Sequence, residues 1–272
     1  MNKNRNIDIM GIVNLTDDSY FSESRCAGVD AALLRIDTLL REGADIIDIG
    51  ACSTRPGSMP VGAEREWERL EPVLAQVKDA FPGIRLSIDT YWSSVVRNAY
   101  ELIGGFIVND ISAGEDDPMM LPVVGSLGLP YIAMHKRGTS LTMQQMTDYQ
   151  DVTAAVADYF IRFARKAALH GISDWTLDPG FGFAKNIEQN YILLRELPRL
   201  RTLLKAEGTD PRILVGVSRK SMIYRYFDIL PEDCLPATQV LHSAALHNGA
   251  DILRVHDVAE TVRTVALYRL LS

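Results

Sequence analysis

Eight short apolar runs rich in β-branched residues recur along this chain, and each ends in polar residues. The clearest run is 213–217, which is followed at once by the polar residues 218–221. The polar ends of the eight runs lie at Asn14, Asp48, Asp89, Asn109, His135, Asp178, Ser218 and Arg254. Buried parallel strands have sequences that are continuous apolar runs. α/β proteins place their catalytic and binding residues at the C-terminal ends of such strands. The recurrence therefore predicts one site assembled from the whole chain.

The composition is that of an ordinary globular protein, with 47% apolar and 23% charged residues among 272. A net charge of −7 argues against a nucleic-acid partner, which usually requires a basic face. No apolar stretch has the length of a membrane span, and no signal peptide is recognisable, so neither a membrane nor secretion is expected. Three widely spaced cysteines fit a reducing compartment. We therefore expect a cytoplasmic protein.

Helical patterns separate the apolar runs, and no composition shift marks a second domain. The predicted helices cover residues 29–41, 64–70, 72–80, 93–101, 118–126, 151–170, 187–197, 236–247 and 258–270. Eight strand–helix units in about 250 residues are the number that closes a (β/α)8 TIM barrel. An open doubly wound sheet is the rival, but the first strand is not followed by GxGxxG. We predict a single α/β domain, a (β/α)8 TIM barrel over 1–272.

Three acids and two cations stand out among the strand ends. Asp89, Asp110 and Asp178 each close a β-branched run, and each could instead cap a helix. If these carboxylates converge at the carboxyl end of the barrel, they could accept pairs of hydrogen bonds from adjacent N–H groups on the edge of a heterocycle. Lys220 and Arg254 follow the seventh and eighth runs, the end of a barrel at which phosphate groups often bind. The pattern therefore favours a heterocyclic, anionic small substrate.

Two loops after the first and second strands, residues 15–28 and 51–62, are candidate lids. Asn14, at the end of the first strand, offers an oxygen ligand suited to Mg²⁺, which takes few protein ligands besides phosphate oxygens. Cys52 has no visible base beside it and is expected to pack rather than react. No serine-hydrolase motif such as GxSxG occurs.

Eight motifs, in order along nearly the whole chain, make the sequence resemble the dihydropteroate synthase family. They are MGIVNLT (10–16), DIG (48–50), STRPG (53–57), SIDT (87–90), VNDIS (108–112), DPGFGF (178–183), GVSRKS (216–221) and LRVHD (253–257). Each motif is moderately specific, and eight in register are strong evidence of membership. The resemblance implies a TIM barrel that joins 4-aminobenzoate to 6-hydroxymethyl-7,8-dihydropterin diphosphate with Mg²⁺ and releases pyrophosphate.

The resemblance also implies a role for each matching residue. The expected pterin-binding residues are Asp89, Asn109, Ile111, Met134, Asp178, Phe183, Lys220 and Arg254, of which Asp89, Lys220 and Arg254 are the expected catalytic residues. Asn14, Arg254 and His256 are expected to bind the diphosphate, with Asn14 also a metal ligand. Thr54, Arg55, Pro56 and Ser221 are expected to bind 4-aminobenzoate. Sulfonamide binding by mimicry of 4-aminobenzoate and a homodimer through the C-terminal helices are implied as well.

Two positions depart from the family pattern. Asp17 stands where the family usually has proline, which should leave the first loop less restricted and adds charge near the diphosphate. Cys52 stands where the family usually has glutamate. Two other readings stay open: a methyltetrahydrofolate:corrinoid methyltransferase, which would not need the diphosphate-binding cations, and a pterin-binding paralogue without catalysis.

Overall fold

A closed barrel of eight parallel strands organises residues 6–15, 28–52 and 61–272, the part of the chain that this computed structural model describes. The strands are β1 (Asp8–Asn14), β2 (Ile46–Gly50), β3 (Leu86–Asp89), β4 (Ile107–Asp110), β5 (Tyr131–Met134), β6 (Trp175–Asp178), β7 (Arg212–Val215) and β8 (Ile252–Val255). Neighbours in sequence are neighbours in the sheet, and β8 pairs with β1. The predicted TIM barrel is confirmed. The open sheet is excluded because such a sheet would leave two strands unpaired at its edges.

The barrel interior changes from apolar to polar along the strands. Met10, Ile46, Ile132, Leu214 and Ile252 form a buried apolar cluster inside the barrel, separate from the larger core between strands and helices. Side chains on a strand alternate between its two faces, so residues two positions further on also point inward. Moving two residues on from Ile46 and Ile252 reaches Asp48 and Arg254. The polar layer at the carboxyl end of the barrel thus rests on an apolar floor.

The helices that surround the barrel are bounded as follows: α1 (Val29–Glu42), α2 (Ala63–Ala80), α3 (Ser93–Ile103), α4 (Met120–Leu127), α5 (Val152–Leu169), α6 (Ile187–Arg195), α7 (Leu197–Ala206), α8 (Ser221–Phe227), α9 (Leu235–His247) and α10 (Val258–Leu271). Most predicted helices lie within a few residues of these bounds. Among the described helices, none combines the length and apolarity that crossing a bilayer requires.

Two helix predictions are wrong, and proline is the reason in both. The predicted break between 64–70 and 72–80 is absent, because the stripe of buried Leu70, Val73 and Val77 continues past Pro72 and its packing outweighs one missing hydrogen bond. The single helix predicted over 187–197 is instead the end-to-end pair α6 and α7. Pro198 lies in the first turn of α7, where a proline costs no hydrogen bond, whereas inside one continuous helix it would remove one.

Candidate active site

Four polar side chains from four strands meet at the carboxyl end of the barrel. Arg254 Nε donates to Asp48 Oδ2 over 2.6 Å, and its Nη2 donates to Asp89 Oδ2 over 2.7 Å. Asn109 Nδ2 lies 3.3 and 3.2 Å from the two carboxylate oxygens of Asp48. Asp48 is fully buried and the side chain of Arg254 is 21% exposed, so the guanidinium forms the accessible surface of this network.

Burial and neighbouring carboxylates set the charges of this network. Burial raises the pKa of Asp89 to about 7, with Asp48, Asp110 and Asp178 adding to the rise and Arg254 opposing it. Burial alone would lower the pKa of Arg254, but the charges of Asp48 and Asp89 more than compensate and raise it. Arg254 is therefore a permanent cation, whereas the Asp89 carboxylate binds a proton more readily than an exposed aspartate does.

A second group lies on β6 and the loop that follows it. Asp178 Oδ1 accepts a hydrogen bond from the Gly180 N–H over 2.8 Å, and Lys220 Nζ donates to the Phe181 carbonyl over 2.8 Å. Lys220 Nζ also lies 5.3 Å from the centre of the Phe183 ring. Burial lowers the pKa of Lys220 to about 8 although Asp178 opposes the change. Lys220 therefore keeps most of its charge at pH 7, facing carboxylates and an aromatic ring.

The residues after β7 and β8 hold one another in place. The N–H and Nδ1 of His256 lie 3.2 and 3.0 Å from Ser218 Oγ. Arg219 has a φ of 53°, in the left-handed region, and its guanidinium makes two hydrogen bonds of 2.9 and 2.8 Å to the carboxylate of Asp257. Burial, followed by the charge of Arg254 and other cations, lowers the pKa of His256 well below its ordinary value. His256 is therefore neutral at pH 7.

Most of the predicted site residues lie at the carboxyl end of the barrel. Asp89, Asn109, Asp178, Lys220 and Arg254 lie close together, and electrostatic interactions join Asp178 to Lys220 and Arg254. Met134 is buried at the end of β5, and Ile111, Phe183 and Ser221 are half-buried in the loops or helix starts after β4, β6 and β7. Asn14 ends β1, in register with Gly50 of β2. Thr54, Arg55, Pro56 and Asp17 lie outside the described residues.

The expected convergence of three aspartates is wrong for Asp110. Its carboxylate accepts hydrogen bonds from the N–H and hydroxyl of Ser112, from the Gly114 N–H and from the Tyr131 hydroxyl. The physical reason is strand alternation, because Asn109 points into the barrel and the next residue must point out of it. Asp110 shapes the loop after β4 and is not the helix N-cap considered as its alternative, because the next helix, α4, begins only at Met120.

Asp48 is the partner of Arg254 that the sequence did not single out. It closes a β-branched run in the same way as Asp89, but no role was attached to it. The signal that could have found it is the two-residue spacing from the interior residue Ile46.

The Gly180 position leaves no room for a side chain. A Cβ there would lie 1.9 Å from the His135 carbonyl oxygen, and Gly180 has a φ of 73°. Gly171 is the matched control, since its φ of 74° is the same within a degree and nothing lies within 4 Å of its Cβ position.

Both alanine variants, Gly180→Ala and Gly171→Ala, incur left-handed strain of about 1–2 kcal/mol. We expect Gly180→Ala to lose at least about 2 kcal/mol more in urea unfolding than Gly171→Ala; equal losses would contradict the steric reading.

A buried carboxyl group lies near Cys52. Glu66 of α2 is fully buried, and among the described residues neither of its carboxyl oxygens has a hydrogen-bond partner of normal geometry, although the Thr90 side chain opposes the rise of its pKa. Cys52 Sγ lies 3.6 Å from the Tyr91 hydroxyl, and burial raises its pKa, with Glu66 adding to the rise. A glutamate at position 52, as the family usually has, would place a second acid beside Glu66. The thiol avoids that repulsion, and its raised pKa agrees with a packing role.

Glu66 should make stability depend on pH. Burial raises its pKa from 4.5 to about 8, so between these values the folded state holds a proton that the unfolded state releases, and stability falls as pH rises. Glu66→Gln mimics the protonated acid. At about 1.4 kcal/mol per pH unit, it should stabilise the fold by about 3 kcal/mol at pH 7 and by almost nothing at pH 4. Urea unfolding at both pH values measures this. The exposed Glu64→Gln on the same helix is the control, and parallel pH profiles for the native and Glu66→Gln proteins would contradict the prediction.

Comparison with known proteins gives one consistent result. Residues 10–256 match the model of the family described as pterin binding enzyme. The dihydropteroate synthase of Synechocystis is 39% identical over 253 residues, covering 92% of this chain and 85% of that protein. A Yersinia pestis dihydropteroate synthase structure with a sulfonamide drug complex has a TM-score of 0.90 and 32% identity, covering 100% and 96% of the two chains. A Burkholderia cenocepacia dihydropteroate synthase structure with 7,8-dihydropteroate has a TM-score of 0.85 and 34% identity, covering 98% and 92%.

Some relatives are much longer than this chain. It spans 47% of the mitochondrial folate synthesis bifunctional protein of Arabidopsis thaliana, with 40% identity, and 34% of the folic acid synthesis protein of Pneumocystis carinii, with 38% identity.

Proposed function

We propose that this chain, which belongs to the pterin-binding enzyme family and within it to the dihydropteroate synthases, joins 4-aminobenzoate to 6-hydroxymethyl-7,8-dihydropterin diphosphate. The products are 7,8-dihydropteroate and pyrophosphate, and the reaction is a transferase step of folate biosynthesis. The observation that carries the proposal is the position of Arg254. Its guanidinium lies between Asp48 and Asp89 at the carboxyl end of the barrel. Arg254 therefore adjoins the acids proposed to bind the heterocycle, and it also lies at the end of β8, where barrels often bind phosphate groups.

The pterin is recognised by the acids and amide of β3, β4 and β6. The aminopyrimidinone edge of a pterin carries adjacent N–H donors, which a buried carboxylate accepts in a two-point geometry. Asp178 and Asn109 are buried and Asp89 is nearly so, which excludes competing water from these contacts. Lys220 supplies a donor for the ring carbonyl, and Met134, Ile111 and Phe183 supply the apolar contacts.

The diphosphate is bound by residues of β1 and β8. Arg254 provides a permanent charge, and His256, being neutral, provides a hydrogen bond without added charge. Within residues 6–15, 28–52 and 61–272, no group of three His, Cys, Asp or Glu side chains could hold a metal ion. A single amide oxygen from Asn14 fits Mg²⁺ that is held mainly by the diphosphate and water. When bound, Mg²⁺ would neutralise charge on the leaving group.

The reaction exchanges a C–O bond for a C–N bond. The bond between the pterin methylene and the diphosphate oxygen breaks, and its electron pair leaves with the diphosphate. The arylamine nitrogen then gives its lone pair to the methylene carbon and loses one proton, so atoms and charge balance. Asp89 stabilises the cationic pterin methylene, and Arg254 stabilises the diphosphate as charge develops on it, an effect worth several kcal/mol in comparable sites. The amine is neutral at pH 7, so no strong base is needed.

The 4-aminobenzoate is expected beside the start of α8 and the second loop. Ser221 is half-buried and directly follows Lys220. Thr54, Arg55 and Pro56, the other expected contacts, belong to residues 53–60, which the structure does not describe. Sulfonamides, which mimic 4-aminobenzoate, are proposed to compete for the same position.

Turnover by the purified chain tests the proposal. Incubation with both substrates and Mg²⁺ should yield 7,8-dihydropteroate by chromatography, and omission of 4-aminobenzoate or chelation of Mg²⁺ should abolish it. Tight pterin binding without product would favour the non-catalytic reading. Methyl transfer from methyltetrahydrofolate to a corrinoid, without use of the diphosphate substrate, would favour the methyltransferase.

We further propose a homodimer through α9 and α10. Val240 on α9 and Leu267 and Leu271 on α10 are 68%, 60% and 79% exposed, and a hydrogen bond of 2.7 Å from Thr264 to Gln239 joins the two helices. Exposed apolar side chains on packed helices are typical of a protein interface. Sedimentation should give a dimer for the native chain and a monomer for Leu267→Glu, with Leu34→Glu on α1 as the exposed control. A native monomer would contradict the proposal.

The cytoplasmic location stays a prediction. It rests on the three widely spaced cysteines of the sequence, which fit a reducing compartment.

A further inference from the structure

We propose that Lys185, a second buried lysine beside the site, is a positioning residue that holds the loop at 180–183 in the shape that binds the pterin. The inference rests on the proposed function, and it adds a residue outside the set expected to bind the substrates. Lys185 lies between this loop and the start of α6, and only 3% of it is exposed.

The ammonium group of Lys185 has a partner for each of its three hydrogens. Its Nζ lies 3.0 Å from the Gly180 carbonyl, 3.0 Å from the Phe183 carbonyl and 2.9 Å from Nδ1 of His135. Burial lowers the pKa of Lys185 to about 7, with Asp178 opposing the change. In its ammonium form Lys185 has three donors and no acceptor, so in that form His135 accepts through Nδ1. Burial and the charge of Lys185 lower the pKa of His135 well below its ordinary value, which agrees with a neutral ring acting as acceptor.

The loop that Lys185 holds carries contacts of the candidate site. The Gly180 N–H donates to Asp178, the Phe181 carbonyl accepts from Lys220, and the Phe183 ring faces Lys220. Two lysines thus share the carbonyls of one short loop: Lys185 binds those of 180 and 183, and Lys220 binds that of 181. A change in the position of Lys185 would therefore shift the loop backbone, and with it the hydrogen bonds that the loop makes with Asp178 and Lys220.

The end of this loop needs such support because its backbone is strained at Ala184, whose φ of 48° is a conformation that residues with a Cβ rarely adopt. Gly180 and Gly182 have φ values of 73° and 84°, which glycine adopts without strain. Strained backbone persists only where surrounding contacts enforce it. Asn190 adds one such contact from α6, since its Oδ1 accepts from the Gly182 N–H over 2.7 Å. Lys185 supplies two more, at the ends of the segment.

The test replaces the charged group and keeps the volume. Lys185→Met should raise KM for dihydropterin diphosphate by at least about tenfold and leave KM for 4-aminobenzoate within about twofold of the native value. Lys205→Met is the matched control, because Lys205 is an exposed lysine of α7 paired with Asp210, and it should change neither KM. A general loss of structure would alter both KM values together, so the split between them is the informative readout.

A second variant keeps the test decisive if Lys185→Met does not fold. His135→Phe retains a ring against Tyr159, whose centre lies 4.9 Å away, and removes the ring nitrogen that lies 2.9 Å from Lys185. It should raise the same KM by at least about threefold.

Three outcomes would overturn the role of Lys185: a native-like KM for dihydropterin diphosphate in Lys185→Met, equal rises in both KM values, or, where only His135→Phe folds, a native-like KM in that variant. Each of these requires turnover by the native chain. Absence of native turnover would instead contradict the proposed function itself, so the two failures are distinguishable.

Discussion

Replacing Arg254 by methionine is expected to lower kcat/KM for dihydropterin diphosphate by about a thousandfold or more. The change removes the permanent cation from the leaving group and also leaves Asp48 and Asp89 without their shared partner. Asp89, whose pKa burial already raises to about 7, should then bind a proton more readily. A protonated Asp89 cannot stabilise the cationic pterin methylene. The variant therefore loses stabilisation of both products of the C–O cleavage, the diphosphate and the pterin cation. Steady-state rates with 4-aminobenzoate saturating measure the effect.

The control for this variant is Arg263→Met. Arg263 lies on α10 with its side chain 74% exposed, and it forms an ion pair with Glu260 one turn earlier on the same helix. It should retain native activity. A kcat/KM for Arg254→Met within about tenfold of native would contradict the role given to Arg254.

Asp48→Asn is expected to lower kcat/KM for dihydropterin diphosphate by about a hundredfold. Asp48 accepts from Arg254 Nε and lies within hydrogen-bond distance of Asn109 Nδ2. An asparagine has one acceptor oxygen in place of two and directs an NH₂ group at one of these donors. The guanidinium loses half of its carboxylate support and the Asn109 amide loses its fixed orientation, although no expected contact with substrate is removed. Breaking a buried ion pair on one side also costs about 3–5 kcal/mol of stability.

Asp37→Asn provides the comparison, because Asp37 forms an exposed i,i+4 pair with Arg41 on α1. Such pairs contribute about 0.3–0.5 kcal/mol, so activity and stability should both stay native. Native-like kinetics for Asp48→Asn would show that Arg254 orients itself without Asp48, and the positioning role would be wrong.

The fold could be predicted because its signal is repeated eight times. Each buried strand is a short apolar run, and each run ends at the same face of the barrel, so errors in single helices did not alter the topology. The helix errors at Pro72 and Pro198 have a common cause. Proline costs a helix one hydrogen bond, but whether the helix continues depends on packing that no local pattern contains.

The clustering of five polar residues of the candidate site could be predicted from the sequence, whereas the residues that support them could not. Asp89, Asn109, Asp178, Lys220 and Arg254 occupy matching motif positions and do lie together. Asp110 differs from Asn109 only by one step along a strand, which reverses its direction. Lys185 was not singled out at all, because a lysine in a sequence is most often on the surface and its burial depends on where a loop returns to β5.

The most direct test of the account is the ratio of pyrophosphate released to 7,8-dihydropteroate formed by the native chain with Mg²⁺ present. We expect equimolar products and no pyrophosphate release without 4-aminobenzoate, because the amine captures the pterin cation at a site closed to water. Release of pyrophosphate that does not depend on 4-aminobenzoate, or tight binding of dihydropterin diphosphate with neither product formed, would contradict it.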